Sequence, residues 1–271
     1  MSAQELLRAG KLDQALAELQ VEVRRQPADA RLRIFLFQLL CVRGEWNRAL
    51  TQLNVAGELD AGALLMVQTY REALRCEVYR AEVFAGVRMP MALGEPGEWL
   101  APLLQSLSVA AGGHTQQAAE LRQRAFDAAP ATAGKLNGVS FEWIADGDSR
   151  LGPCLELIVS GRYYWVPFHR IRSIDLEPPV DLRDFVWSPA QLTWSNGGEA
   201  VALIPTRYPG TEAAADPALR MSRRTEWQLQ SEQSYFGLGQ RAFITDSGET
   251  ALLDVRRIEI DPAGDLKPAA A

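Results

Sequence analysis

Residues 7–27 read LRAGKLDQALAELQVEVRRQP, and residues 40–60 read LCVRGEWNRALTQLNVAGELD. At an offset of 34 positions Gly10 falls on Gly44, Leu12 on Trp46, Ala15 on Ala49 and Leu19 on Leu53. That is the period of the tetratricopeptide repeat, a helix–turn–helix unit. Each conserved type has a physical task within the unit: the glycine turns the chain between two helices, the small alanine lets them approach, and Pro27 stops the second one. Residues 110–130, AAGGHTQQAAELRQRAFDAAP, repeat the internal spacing with Gly113, Ala118 and Pro130. Gly113 lies 69 positions after Gly44, two periods plus one, so a degenerate unit is expected between them. The helical run ALLMVQTYREALRCEVYRAEVFAG at residues 63–86 suits it. Such units cannot bury their apolar faces alone, so they stack and leave a concave groove. Arg31, Ile34, Phe35 and Gln38 are expected on or near that groove, a surface suited to a peptide or an amphipathic helix. Ile34 and Phe35 fit the core between repeats equally well.

After residues 131–134 the material changes. Short runs such as CLELIV, RYYWVPF, IRSIDL, EAVALIP and RAFIT are separated by glycine and proline signals, the pattern of many short strands. The expected architecture is therefore α+β in two domains. A tetratricopeptide-like helical-repeat domain spans 1–133, a small antiparallel, SH3-like β-barrel spans 134–262, and 263–271 form a flexible tail. DLRDFVW reads as one helical turn capped by Asp181 and ended by Ser188-Pro189. Residues 207–221, RYPGTEAAADPALRM, read as a surface loop.

Bulk properties exclude several function classes. The 271 residues are 47% apolar and 23% charged with a net charge of −6, so a folded protein without a general drive toward phosphate is expected. The basic cluster at Arg220, Arg223 and Arg224 is short and lacks interleaved aromatics, so no nucleic-acid partner is expected. The opening MSAQELLRAGKLDQ is amphipathic and no run is long and apolar enough for a span, which predicts no signal peptide and no membrane contact. Cys41, Cys76 and Cys154 read as buried free thiols, and a cytoplasmic location is expected.

Residues 141–153, FEWIADGDSRLGP, hold the densest charge cluster. As an EF-hand beginning at Asp146 it fails: Arg150, Leu151 and Leu157 stand where an oxygen ligand, a glycine and a bidentate glutamate are needed. His114 and His169 have no zinc-site spacing, and no cofactor is expected. Asp146, Asp148, Asp181 and Asp184 form an acidic set that a hydrolase would need to converge as a pair in a cleft. Arg150, Arg183 and Arg207 accompany them, which favours structural ion pairs. The stretch then reads as the loop of the first barrel hairpin, with Phe141 and Trp143 inward and Asp146-Gly147 in the turn. No Ser-His-Asp set, GxSxG or phosphate loop is present.

The series from GVSFEWIADGDSRLGP through VPFHRIRSIDLEPPVDLRDFVWSPAQLTW, then NGGEAVALIPTRYPGTE, QRAFITD and LLDVRRIEI, resembles the ImpE/SciE-type family, also called TagJ. The resemblance covers nearly the whole chain. It implies a non-enzymatic accessory protein of bacterial type VI secretion systems. It further implies engagement of the small subunit of the contractile sheath and a link to the AAA+ ATPase that disassembles contracted sheath. A helical-repeat groove fits such an adaptor. The alternatives are a hydrolase using the acidic set and a generic peptide-binding co-chaperone.

Overall fold

Helical hairpins open the chain in the computed structural model, which describes residues 1–94, 97–231 and 234–262. The expected flexible tail, 263–271, lies outside the described residues. Helices α1 (Ala3–Arg8) and α2 (Leu12–Arg25) pair, as do α3 (Ala30–Val42) and α4 (Trp46–Leu59). The long α5 (Leu64–Phe84) follows, and the chain then forms a two-residue strand, β1 (Met91–Ala92), before the hairpin of α6 (Leu100–Ala111) and α7 (Thr115–Ala128). The interval expected to hold a degenerate repeat thus contributes one helix and a strand.

The hairpin turns share one geometry. Gly10 and Gly44 adopt φ of +74° and +72°, a region costly for any residue with a Cβ. The residue after each glycine donates its N–H five residues back, Lys11 to Leu6 and Glu45 to Leu40, and His114 does the same to Val109. Ala15, Ala49 and Ala118 are fully buried, as the close approach of paired helices requires. Asp29 accepts from the N–H groups of Arg31 and Leu32 and so starts α3.

The second half holds β2 (Gly134–Leu136), β3 (Val139–Phe141), β4 (Ile144–Asp146), β5 (Cys154–Val159), β6 (Arg162–Pro167) and β7 (Ile171–Leu176). Next come β8 (Trp187–Trp194), β9 (Glu199–Pro205) and the short α8 (Pro217–Arg220). The last strands are β10 (Thr225–Ser231), β11 (Ser234–Gly239), β12 (Ala242–Thr245), β13 (Gly248–Ala251) and β14 (Arg257–Ile260). One nine-stranded sheet runs β1-β6-β5-β9-β8-β7-β14-β2-β3, antiparallel except for the parallel pairing of β1 with β6. A separate three-stranded sheet runs β13-β12-β4, and β10 with β11 form a two-stranded hairpin.

This corrects the expectation of a closed SH3-like barrel. Among the described residues the large sheet is open, with β1 and β3 at its ends. The physical reason lies in β5, whose CLELIV is buried along nearly its whole length. Cys154 and Ile158 join a core shared with the helices, while Leu155 and Leu157 join a second core on the opposite face. A strand covered on both faces reads as a continuous apolar run. Helices cover the face that a barrel would have to close upon itself.

Three smaller expectations meet mixed outcomes. Leu182–Phe185 is a single 3-10 turn, and Asp181 and Asp184 cap it reciprocally; Ser188 and Pro189, however, lie within β8. Residues 207–221 are no surface excursion, because Arg207, Tyr208, Thr211, Leu219 and Met221 are buried. The Tyr208 hydroxyl donates to the Ala242 carbonyl and accepts from its N–H, which ties this segment to β12. Asp146 is no hairpin turn residue either. It ends β4, which pairs with β12, and Trp143 is 40% exposed while Phe141 is buried.

Gly10→Ala is expected to destabilise the fold by about 1–2 kcal/mol in urea melts, the cost of a left-handed non-glycine residue. Gly44→Ala is expected to cost more, because its Cβ would lie 2.6 Å from Glu212.

Candidate functional site

Alternation along β5 points Glu156, between Cys154 and Ile158, at the helices. There it is fully buried and meets two guanidinium groups. Arg80 of α5 donates from Nε to Glu156 Oε1 at 2.6 Å and from Nη2 to Oε2 at 3.0 Å. Arg241, just before β12, bonds Glu156 through Nη2 and Asp146 through Nη1, and donates from Nε to the Pro205 carbonyl at 2.9 Å. The Tyr163 hydroxyl donates to Glu156 and accepts from Trp165 Nε1 at 2.7 Å. Arg80 also meets Glu77, whose carboxylate accepts from Trp187 Nε1 at 2.8 Å.

The cluster extends into the hairpins. Arg80 Nη2 donates to the Arg207 carbonyl at 2.8 Å, and the Arg207 guanidinium donates to the carbonyls of Cys41 and Val42 at the end of α3. Arg223 donates to the carbonyls of Leu7 and Arg8 at the end of α1. These carbonyls are equivalent within the 34-residue repeat, Leu7 to Cys41 and Arg8 to Val42. Two arginines of the sheet half therefore cap two equivalent helix C-termini, where the helix dipole favours positive charge.

Three buried carboxylates, Glu77, Asp146 and Glu156, face three buried guanidinium groups, Arg80, Arg207 and Arg241. Burial alone would raise Glu156, but Arg80 and Arg241 outweigh it and hold the carboxyl down at about 2. Burial lifts Asp146 to about 7 against the pull of Arg241, with Asp148 and Glu156 adding to the rise. Glu77 is likewise raised by burial, with Arg80 and the Trp187 hydrogen bond opposing.

The acids singled out from sequence are each engaged. Asp148 accepts from Arg150 Nε at 2.8 Å and from the Gly237 N–H at 2.9 Å, while Asp146 accepts from the Asp148 N–H. Asp181 pairs with Arg183, whose guanidinium lies 4.8 Å from the Tyr70 ring. Asp184 accepts from the N–H groups of Val180 and Asp181. Arg207 serves helix carbonyls and no aspartate in this set. A hydrolytic pair needs one free acid and one free base around a cleft, and each of these four carboxylates is engaged by a donor, Asp146 by the distant Arg241. No group of His, Cys, Asp and Glu among the described residues has the geometry to hold a metal.

Of the expected groove residues, Arg31 is exposed, and Ile34 and Phe35 are half-buried against the helical core. Gln38 is buried, so it lies beneath this surface. Glu77, Arg80, Glu156 and Arg241 were not singled out from sequence. Their signal was charge inside apolar pattern: Glu156 interrupts CLELIV, and Glu77 and Arg80 continue the buried stripe of Val67, Tyr70 and Leu74 on α5.

The fold and its charge cluster define a scaffold of helical hairpins fastened to a broad sheet. The family model described as "ImpE protein" matches residues 138–259. The type VI secretion system accessory component TagJ of Pseudomonas aeruginosa PAO1 is 56% identical over 262 residues, 97% of this chain and 92% of that protein. The crystal structure of VPA1032 from Vibrio parahaemolyticus has a TM-score of 0.87 at 25% identity, over 98% of this chain and 99% of that one. The chain belongs to the ImpE/TagJ family.

Glu156→Gln removes one member of a buried ion cluster and is expected to cost about 3–5 kcal/mol in equilibrium unfolding. The pH dependence has contributions of both signs, illustrated by Asp146 and Glu156. Folded Asp146 keeps its proton up to about pH 7 while an ordinary aspartic acid loses it near 3.8, so its contribution to stability falls as pH rises between these values. Glu156 has the opposite sign, its contribution fading as pH falls from 4.5 toward about 2. Denaturant melts of Asp146→Asn across pH 4–7 are expected to decline less steeply than those of the native chain, the remainder coming from Glu77, which burial also raises.

Proposed function

We propose that this chain is a cytoplasmic, non-enzymatic accessory protein of a type VI secretion system, an adaptor that captures a helix or peptide segment of the small sheath subunit. The observation that carries this reading is the 56% identity to the Pseudomonas aeruginosa accessory component over 97% of the chain. The engagement of each acid of the set by donors within the protein supports an adaptor over a hydrolase. No described helix is long and apolar enough to cross a membrane.

The capture surface in this reading is the first half of α3, where Arg31, Ile34 and Phe35 are reachable. Its apolar pair suits the apolar face of a partner helix, and the exposed arginine suits a flanking acid. The adaptor would then connect sheath subunits with the AAA+ ATPase during sheath turnover. The buried charge cluster would hold the hairpins rigidly on the sheet, keeping the capture surface in shape before the partner arrives.

Pull-down of purified small sheath subunit by the native chain and by an Ile34→Glu, Phe35→Glu variant tests the surface. The variant is expected to lose at least about tenfold in affinity while keeping its circular dichroism spectrum, because an apolar anchor pair is replaced by charge. Full binding by a folded variant removes α3 from the proposal. Equal binding of unrelated amphipathic peptides supports the generic co-chaperone reading.

A further inference from the structure

We propose that the cleft between α7 and the β10–β11 hairpin docks an acidic segment of a protein partner, with Arg122 receiving its carboxylate and an adjoining apolar groove receiving a large side chain next to it. The inference begins with a charge that the described residues leave uncompensated. Arg122 is only 4% exposed, yet it has no salt bridge among the described residues. Its Nη2 donates to Ser234 Oγ at 3.1 Å, and its buried Nε has no hydrogen-bond partner among them.

Other buried arginines show what this one lacks. Arg80 and Arg241 each hold carboxylates, and Arg207 holds three backbone carbonyls. Asp148 is the carboxylate whose field acts on Arg122, but Arg150 and the Gly237 N–H already occupy it. Arg122 and Arg150 both lie against the Phe236 ring, at 5.5 and 4.4 Å from its centroid. Two guanidinium groups thus face one carboxylate, and only Arg150 bonds it. Burial pulls the Arg122 pKa down, the mark of a cation held without enough anion. An incoming carboxylate would restore the balance in a partly desolvated setting, where charge-assisted bonds are strong.

The shape indicates the source of that anion. Arg122 lines a cleft of about 600 Å³ together with Gln123, Phe126, Ser231 and Ser234. Phe126 also lines a neighbouring groove of 460 Å³, with Pro130, Trp143, Pro153 and Ile244. Arg122 and Phe126 stand four residues apart on α7, about 6 Å along one helix face. An acid followed closely by a large apolar side chain would engage both parts, whereas a free inorganic anion would use only the first. Trp143, 40% exposed at the groove, is an aromatic anchor of the kind enriched at protein interfaces.

Random twelve-residue peptides displayed on phage, panned separately on the native chain and on Arg122→Met, test the proposal. The native chain is expected to enrich Asp or Glu within a helical turn of Leu, Phe or Trp, and the variant is expected to lose that signature. For one selected synthetic peptide, titration calorimetry is expected to show Arg122→Met and the peptide's acid-to-amide change each weakening binding about tenfold or more, with no further loss when combined. Trp143→Ala is expected to weaken the same peptide. Arg122→Met should leave the melting temperature unchanged or higher, since it removes an uncompensated buried charge. The same acidic peptides selected by both proteins, or no acidic signature, overturns the proposal. So does a clear fall in melting temperature for Arg122→Met, which marks a structural arginine.

Discussion

Glu156 sits fully buried between Arg80 and Arg241, and the placement of the helices on the sheet follows from that carboxylate. A buried charge that loses a partner is costly, so the elements carrying these groups cannot slide independently. Shifting β5 by one residue would turn Leu155 and Leu157 toward Arg80 and send Glu156 into the apolar core on the other face. The ion cluster therefore specifies register. Apolar packing alone would specify it weakly here, because both faces of β5 are buried.

From this centre the arginines reach outward to the hairpins. Arg207 and Arg223 bond the carbonyl ends of α3 and α1 at positions that the 34-residue repeat makes equivalent. Each neutralises part of a helix dipole and satisfies carbonyls that a helix end leaves open. The segment carrying Arg207 is held by Tyr208 against β12, and β12 pairs with β4, which supplies Asp146. One connected system of backbone and charged groups thus joins the first hairpins to the last strands. That rigidity suits a protein whose proposed work is to present surfaces.

Much of the helical half was legible because its signals are local. A glycine at positive φ and a buried alanine five residues later act within one unit and recur in all three hairpins, and a proline follows the first and the last of them. The strands were legible for the same reason, being short apolar runs between turn signals. Their closure was not. Whether β1 and β3 meet depends on what covers the sheet, and β1 comes from the middle of the helical half. The stretch FEWIADGDSRLGP shows the same limit. Its Asp148–Arg150 pair lies within reach of sequence spacing, whereas the partner of Asp146 is Arg241, 95 residues away. Gln38 had the helical phase of a groove residue but lies buried, because the end of α3 packs against the segment around Leu182 and Arg207.

By itself the sequence determined the hairpins, their turn chemistry, the strand-rich second half and the family, since periodicity and motif order are properties of neighbouring residues. Only the tertiary structure decided that the sheet stays open, that Glu156 is the hub and that Arg122 has no salt bridge among the described residues. Those facts depend on which distant charges share a low-dielectric space, and pairing energies there are large enough to select among otherwise acceptable packings.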